Sequence, residues 1–263
     1  MKKKNVKSID KLWQLWNIPI FGGKRSQLLK RIERRLEKRE GKLFWMVTVN
    51  PEHMMKALED PSYLNLLQES SLNVADGVGL IWAKRVIKGR NALTVGVNIL
   101  RGKYRSEVIA GSGLIPELAV MAVMNRQKFF FLGGFGDRAK RTAAYFEKEG
   151  VRAEYSPGEP EISNDEVIKK IKEAKPQILL VAYGMKKQEE WIQRNRQELE
   201  AVGVLLVMGV GRSFDYYSGD LKRAPEAWQK MGLEWLYSLI QEPKRWRRQL
   251  QLPKFVWRVV TGN

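Results

Sequence analysis

The chain has no cysteine and a single histidine, His53, among its 263 residues. The first absence excludes disulfide scaffolding, thiolate metal sites and a cysteine nucleophile. With no second histidine or nearby carboxylate pair, His53 reads as a surface or packing residue rather than a base. Long apolar runs are also missing. No segment approaches the ~18 uninterrupted apolar residues of a membrane span, and no apolar stretch follows the start MKKKNVKSIDKLW as in a secretory signal. Any meeting with a membrane is therefore expected at its surface. Neither a G-x-G-x-x-G fingerprint nor a Walker A loop is present. Internal repeats and low-complexity linkers are absent too.

What is present is apolar content sufficient for a core, 44% of residues, and a net charge of +18. That charge is uneven: residues 1–45 carry +10, residues 222–263 carry +6, and the long stretch between them only +2. Basic ends on a nearly neutral body suit attachment to an anionic surface by the ends. For residues 24–42 a plain solvated helix face explains the charge equally well.

The element pattern is α/β. SQLLKRIERRLEKREGK reads as an amphipathic helix with Leu28, Leu29, Ile32 and Leu36 on one face and Gly41 as its stop. LFWMVTV (43–49) reads as a buried strand, and Asn50-Pro51-Glu52 as a capped helix start. LNVA (72–75), KFFFLGG (128–134), PQILLVAYG (176–184) and GVLLVMGVG (203–211) read as further strands. A helix over 137–149 and KQEEWIQRNRQELE as one continuous helix separate the later ones. Short apolar strands alternating with helices predict a Rossmann-like parallel sheet with helices on both faces. The rhythm ends near Lys222–Pro225. The predicted organisation is a core over 1–221, including a basic arm and helix at 1–42, followed by a helical basic and aromatic appendage over 222–263.

In open α/β sheets, ligands bind beyond the carboxyl ends of the strands. The polar residues at those ends are Thr48, Asn50, Asp76, the Gly133-Gly134-Phe135-Gly136 turn, Gly184 to Gln188, and Asp215. The GGFGD turn suits a diphosphate, since glycines let backbone N–H groups approach and a helix N-terminus favours negative charge. Asp76-Gly77 reads as either a site acid held on rigid backbone or a common turn dipeptide bonding its own backbone. Asn50 is accounted for as a helix cap. In Phe214-Asp215-Tyr216-Tyr217, Asp215 suits a sugar or ribose hydroxyl and Tyr216 a base to stack on; an aromatic plug with a turn acid explains the run equally well.

From about Val47 to Asn263 the order of motifs resembles the WecG/TagA/CpsF glycosyltransferases. The likeness is densest in GMKKQEEW and in GVGRSFDYYSGDLKRAPEAWQKMGLEWLYSLIQEPKRWRR. The resemblance implies an inverting transfer of N-acetylmannosamine or its uronate from a UDP-sugar to N-acetylglucosaminyl-diphospho-undecaprenol, in teichoic acid or surface-polysaccharide synthesis. It implies Asp76 as general base for the acceptor hydroxyl. Thr48 and Asn50, from a Thr-x-Asn-Pro-Glu pattern, would border the sugar with Gly77. Gly184, Lys187 and Gln188, from a Gly-x-Pro-Lys-Gln-Glu pattern, would contact sugar and phosphate. Lys186 replaces the usual proline there, and Arg212 stands where a small residue is common. Where the family has an arginine and then Gly-x-Asp, this chain has VIAGSG, with Val108 and Gly113 in the charged positions. Arg101 and Arg105 are the candidate substitutes. There is no Asp-x-Asp pair to hold a metal on a nucleotide sugar; the nearest match, Glu159-Pro160-Glu161, reads as solvated. No metal or cofactor is expected.

The segment WQKMGLEWLYSLIQEPKRWRRQLQLPKFVWRVV places Trp, Tyr, Leu and Arg at near-helical spacing, as at a membrane interface. The family reading gives it membrane contact and closure of the site, with Arg223, Arg245, Arg247 and Arg248 on the acceptor diphosphate. The expected location is the cytoplasmic face of the cell membrane. A homo-oligomer that gives way to a membrane-bound monomer fits the same reading. Two rivals remain in the residues: a basic α/β nucleic-acid-binding protein, and a relative without activity that serves as an accessory. Charge that avoids the central body, and the lack of reading motifs, argue against nucleic acid.

Overall fold

The computed structural model describes residues 11–39, 42–158 and 164–262. Gly41, the Glu159-Pro160-Glu161 loop and residues 1–10 of the basic arm lie outside them. From Lys11 on, the expected arm is a folded hairpin, β1 (Leu12–Leu15) and β2 (Ile18–Phe21), turned by Trp16-Asn17. Both turn residues have positive φ, 48° and 61°, the geometry whose twist suits a two-residue hairpin. Trp13, Leu15, Ile18, Ile20 and Phe21 are buried, so the hairpin belongs to the core.

Six further strands form one parallel sheet: β3 (Phe44–Val49), β4 (Leu72–Ala75), β5 (Lys128–Gly133), β6 (Arg152–Ser156), β7 (Ile178–Ala182) and β8 (Leu206–Gly209). Their order is β4-β3-β8-β7-β5-β6. Along β3, Trp45, Val47 and Val49 feed one core while Phe44 and Met46 feed the other; in β5, Phe130 and Leu132 oppose Phe129 and Phe131. Burial on both faces explains why these strands read as unbroken apolar runs. β6 shows no such run because it is an edge strand with exposed Arg152, Glu154 and Tyr155. The Rossmann-like expectation holds.

Two helices differ from the reading. The first runs Arg25–Lys38 and stops at Arg39, itself in left-handed geometry (φ 49°). The expected helix at 187–200 is split into Lys187–Arg194 and Arg196–Val202. Asn195 makes the break: its Nδ2 donates to the Trp191 carbonyl at 2.8 Å, and its Oδ1 accepts from Asn164 at 3.0 Å. Beyond residue 222 come short helices at Glu226–Lys230, Glu234–Gln241, Trp246–Gln249 and Gln251–Thr261. The last docks into the core through Phe255, which lies edge-on to Trp16 at 5.6 Å, and through Val259.

Candidate active site at the carboxyl edge of the sheet

β3 and β4 run side by side, so their ends present Thr48, Asn50 and Asp76 together. The Asp76 N–H donates to the Val49 carbonyl at 2.8 Å, which continues the ladder one residue past the strand. Gly77 then turns the chain with φ 85° into the helix Val78–Val86. The Asp76 side chain is half-buried and, among the described residues, has no hydrogen bond or ion pair. Burial pushes its carboxyl up to about 7; the Glu234 charge pushes the same way, and Arg223 opposes both. Glu234 and Arg223 come from the C-terminal segment, and Gly232 packs its backbone on Val78, two residues beyond Asp76. The appendage thus packs beside the turn that carries the acid.

Thr48 is buried against Gly111, where an added Cβ would meet its side chain at 3.2 Å. Gly111 opens the 14-residue helix Gly111–Met124. Asn50 caps Pro51–Glu59, its Oδ1 accepting from the N–H groups of Glu52 (2.9 Å) and His53 (3.2 Å). His53 Nδ1 lies 2.8 Å from the same oxygen. Burial, helped by Arg248, pushes His53 down to about 4, so its ring is neutral and Nδ1 donates. All three bonds occupy Oδ1, which leaves the Asn50 amide nitrogen as a donor without a partner among the described residues.

Gln188 is 3% exposed. Its Oε1 accepts from the Gly211 N–H at 3.1 Å, and its Nε2 donates to Glu189 Oε1 at 2.8 Å. Glu189 in turn accepts from the Lys186 N–H at 2.6 Å, and burial raises its carboxyl to about 7. Gly209 is required here, since a Cβ would come 2.5 Å from the Gln188 amide. This chain of bonds ties the loop after β7 to the loop after β8. Gln188 is therefore built into the wall of the crevice. Lys186 adopts φ 73°, closed to a proline ring, and is anchored by Asp60 at 2.6 Å. Lys187 is exposed, and Gly184 turns with φ 84°.

The turn after β5 has Gly133 at φ 89°, Gly134 at 79° and Gly136 at 59°. Next to it stands Arg138, which the sequence reading passed over. It lies over Phe135 and pairs with Asp215 at 2.8 Å. The other Asp215 oxygen takes Arg212 at 2.6 Å, and the residue is 3% exposed. Asp215 therefore holds two arginines rather than offering itself to a ligand hydroxyl. Arg212 reaches on to Glu242 of the appendage. Of the aromatic run, Phe214 and Tyr217 form a plug with Phe131 and Phe146 behind the glycine turn. Tyr216 faces the other way, bonded to Ser238 and within the field of Asp76.

The cations near Gly113 are Arg25 and Arg223, which bring guanidinium nitrogens within 3.1–3.2 Å of where its Cβ would stand. The sequence candidates lie elsewhere: Arg105 pairs with Glu226 at 3.8 Å, and Arg101 is exposed. Arg25 is also fixed by Glu117 at 2.8 Å. Arg223 approaches Glu234 at 3.8 Å, while its buried Nε has no partner among the described residues. Arg248 pairs with Glu52 at 2.7 Å, and Arg247 lies over Trp246. The side chain of Arg245 is outside the described residues. Among those residues no helix is long and apolar enough to cross a membrane.

Comparison with known proteins extends the likeness to almost the whole chain. An N-acetylglucosaminyldiphosphoundecaprenol N-acetyl-beta-D-mannosaminyltransferase of Staphylococcus aureus (strain MW2) is 29% identical over 239 residues, 90% of this chain and 87% of its own. A protein of the same name from Bacillus spizizenii (strain ATCC 23059 / NRRL B-14472 / W23) is 32% identical over 224 residues, 82% of this chain and 78% of its own. The model of the glycosyl transferase WecG/TagA/CpsF family matches residues 13–262, and the chain belongs to that family.

Proposed function

We propose that this glycosyltransferase moves N-acetylmannosamine, or its uronate, from a UDP-sugar to N-acetylglucosaminyl-diphospho-undecaprenol in teichoic acid or surface-polysaccharide synthesis. The observation that carries the reading is Asp76: a carboxyl without a side-chain partner at the end of β4, raised to about 7 beside the basic appendage. The names of the S. aureus and B. spizizenii relatives supply the acceptor and the sugar.

In this reading the acceptor hydroxyl attacks the anomeric carbon as Asp76 takes its proton. The bond from that carbon to the diphosphate oxygen breaks, UDP departs, and the anomeric centre inverts. A base tuned near neutrality accepts the proton while about half of it stays ionised at pH 7. Thr48, Gly77 and the Asn50 amide nitrogen border the sugars. Gly133, Gly134 and Gly136 face the donor diphosphate, where Arg138 and Arg212 supply positive charge to the leaving group. Gln188 acts through the walls it holds, with Gly184 and Lys187 at the rim. Asp215 acts through its two arginines, and Tyr216 lies under the appendage. In the same reading Arg223, Arg245, Arg247 and Arg248 serve the acceptor diphosphate and an anionic membrane surface, and the enzyme acts peripherally on the cytoplasmic face.

The experiment is UDP release by purified protein supplied with a short-chain N-acetylglucosaminyl-diphospholipid and a panel of UDP-sugars, with excess EDTA in a parallel series. Acceptor-dependent release from the mannosamine-type donors, unchanged by EDTA and abolished in Asp76→Asn, is expected. Release without acceptor, or full activity in the variant, overturns the reading.

A further inference from the structure

The near-neutral middle of the chain conceals one strongly basic stretch. Between Asp76 and Glu107 there is no acidic residue, while Lys84, Arg85, Lys88, Arg90, Arg101, Lys103 and Arg105 are all cations. Glu107 takes Lys84 and Arg85, and Glu226 takes Arg105. Lys88, Arg90, Arg101 and Lys103 are exposed and have no acidic partner among the described residues. Lys88, Arg90 and Lys103 line a groove of about 800 Å³ along the helix Ala92–Leu100, together with Thr94 and Asn98.

That helix is apolar on both sides. Val95 and Ile99 are buried, while Leu93 (81% exposed), Val97 (47%) and Leu100 (52%) form an outer stripe at intervals of four and three residues. Ile87, 46% exposed, lies just before the helix in the chain. An exposed apolar helix face among unpaired cations marks an interaction surface.

We infer that the helix Ala92–Leu100 and its basic groove form a membrane-contacting element, which lays Leu93, Val97 and Leu100 into an anionic bilayer surface. Charge selects this occupant. A second copy docked face to face would set four unpaired cations against four, and a nucleic acid would find aliphatic side chains where it needs rings to stack. Tyr104, the aromatic residue at the groove, is covered by Arg85 at 3.6 Å. The position also fits a bilayer. The helix Val78–Val86 leads from Asp76 to the groove over roughly 13 Å. At its other end the element abuts the appendage, with Gly102 beside the Lys230 carbonyl and Arg105 on Glu226. The proposal rests on the lipid-linked acceptor only for its purpose, because bilayer contact is measured without turnover.

The absence of cysteine gives a clean test. Full-length Leu93→Cys and Val97→Cys, each labelled with an environment-sensitive fluorophore, are titrated with phosphatidylcholine vesicles with and without phosphatidylglycerol. A blue shift is expected only with phosphatidylglycerol, reversed by salt, and absent from a probe at Lys170→Cys on the helix Asn164–Ala174. Charge reversal by Lys88→Glu with Arg90→Glu should weaken vesicle partitioning by roughly 30-fold. Thermal unfolding and transfer to a water-soluble acceptor should remain unchanged. Vesicle binding with no spectral change at 93 or 97 overturns the proposal, as does no vesicle binding at all. A shift that needs only higher protein concentration, or only nucleic acid, overturns it too. Vesicle insertion without sugar transfer would instead count against the proposed reaction alone.

Discussion

Asparagine at position 76 keeps the shape of the side chain and removes its charge, so it separates what this carboxyl costs the fold from what it does. The Asp76 carboxyl is raised from 3.8 to about 7. Three units at ~1.4 kcal/mol each give ~4 kcal/mol for ionising the folded form. The sign follows from linkage. As pH rises, the unfolded chain releases this proton first, so stability is lost between about pH 4 and pH 7 and the full cost applies above 7. Asp76→Asn escapes that cost. At pH 8 the variant should be more stable than the parent by ~4 kcal/mol, or roughly 10 °C in Tm, and the gain should shrink towards nothing at pH 4. Glu189, also raised to about 7, contributes equally to both proteins and cancels in the difference. The assay is thermal and urea unfolding of both proteins across that pH range. A variant no more stable at pH 8, or one stabilised equally at pH 4, refutes the reasoning.

Other perturbations probe the surroundings. Phe255→Ala removes a fully buried ring that lies edge-on to Trp16, and urea unfolding should register a loss of ~3–5 kcal/mol. Asp215→Asn frees Arg138 and Arg212 from their shared buried anchor. Stability should fall by ~3 kcal/mol, and nucleotide titration should find UDP affinity lowered about tenfold. Gln188→Glu sets a second carboxyl against Glu189 and removes a donor. The variant should lose ~2–3 kcal/mol, with the Tm deficit larger at pH 8 than at pH 6, because Glu189 ionises near 7.

What could be read in advance was local chemistry. Asn50-Pro51-Glu52 announces a helix start because cap, ring and acid act within four residues, and the structure uses all three. Strands buried on both faces announce themselves as unbroken apolar runs. The hairpin at 12–21 was missed because Trp16 is an unusual residue for a positive-φ turn, with only Asn17 carrying the turn signal. The engagement of Asp215 was hidden because its partner Arg138 lies 77 positions away, across three intervening strands of sequence. An arginine immediately after GGFGD was the available clue. The arginines facing Gly113 come from near the two ends of the chain, Arg25 and Arg223, so no local search around Val108 could find them. The acid-free segment from Gly77 to Ser106 was fully visible, and averaging over the central body concealed it.

The central claim is that Asp76 removes the acceptor proton, and the pH dependence of kcat/KM for sugar transfer tests it most directly. The account predicts a rate that rises with pH through an apparent pKa of about 7. In Glu234→Gln that limb should move to lower pH, since Glu234 is one of the charges holding the carboxyl up. A limb near the ordinary carboxyl value in the parent enzyme, or one that stays in place when Glu234 is neutralised, would contradict Asp76 as the base.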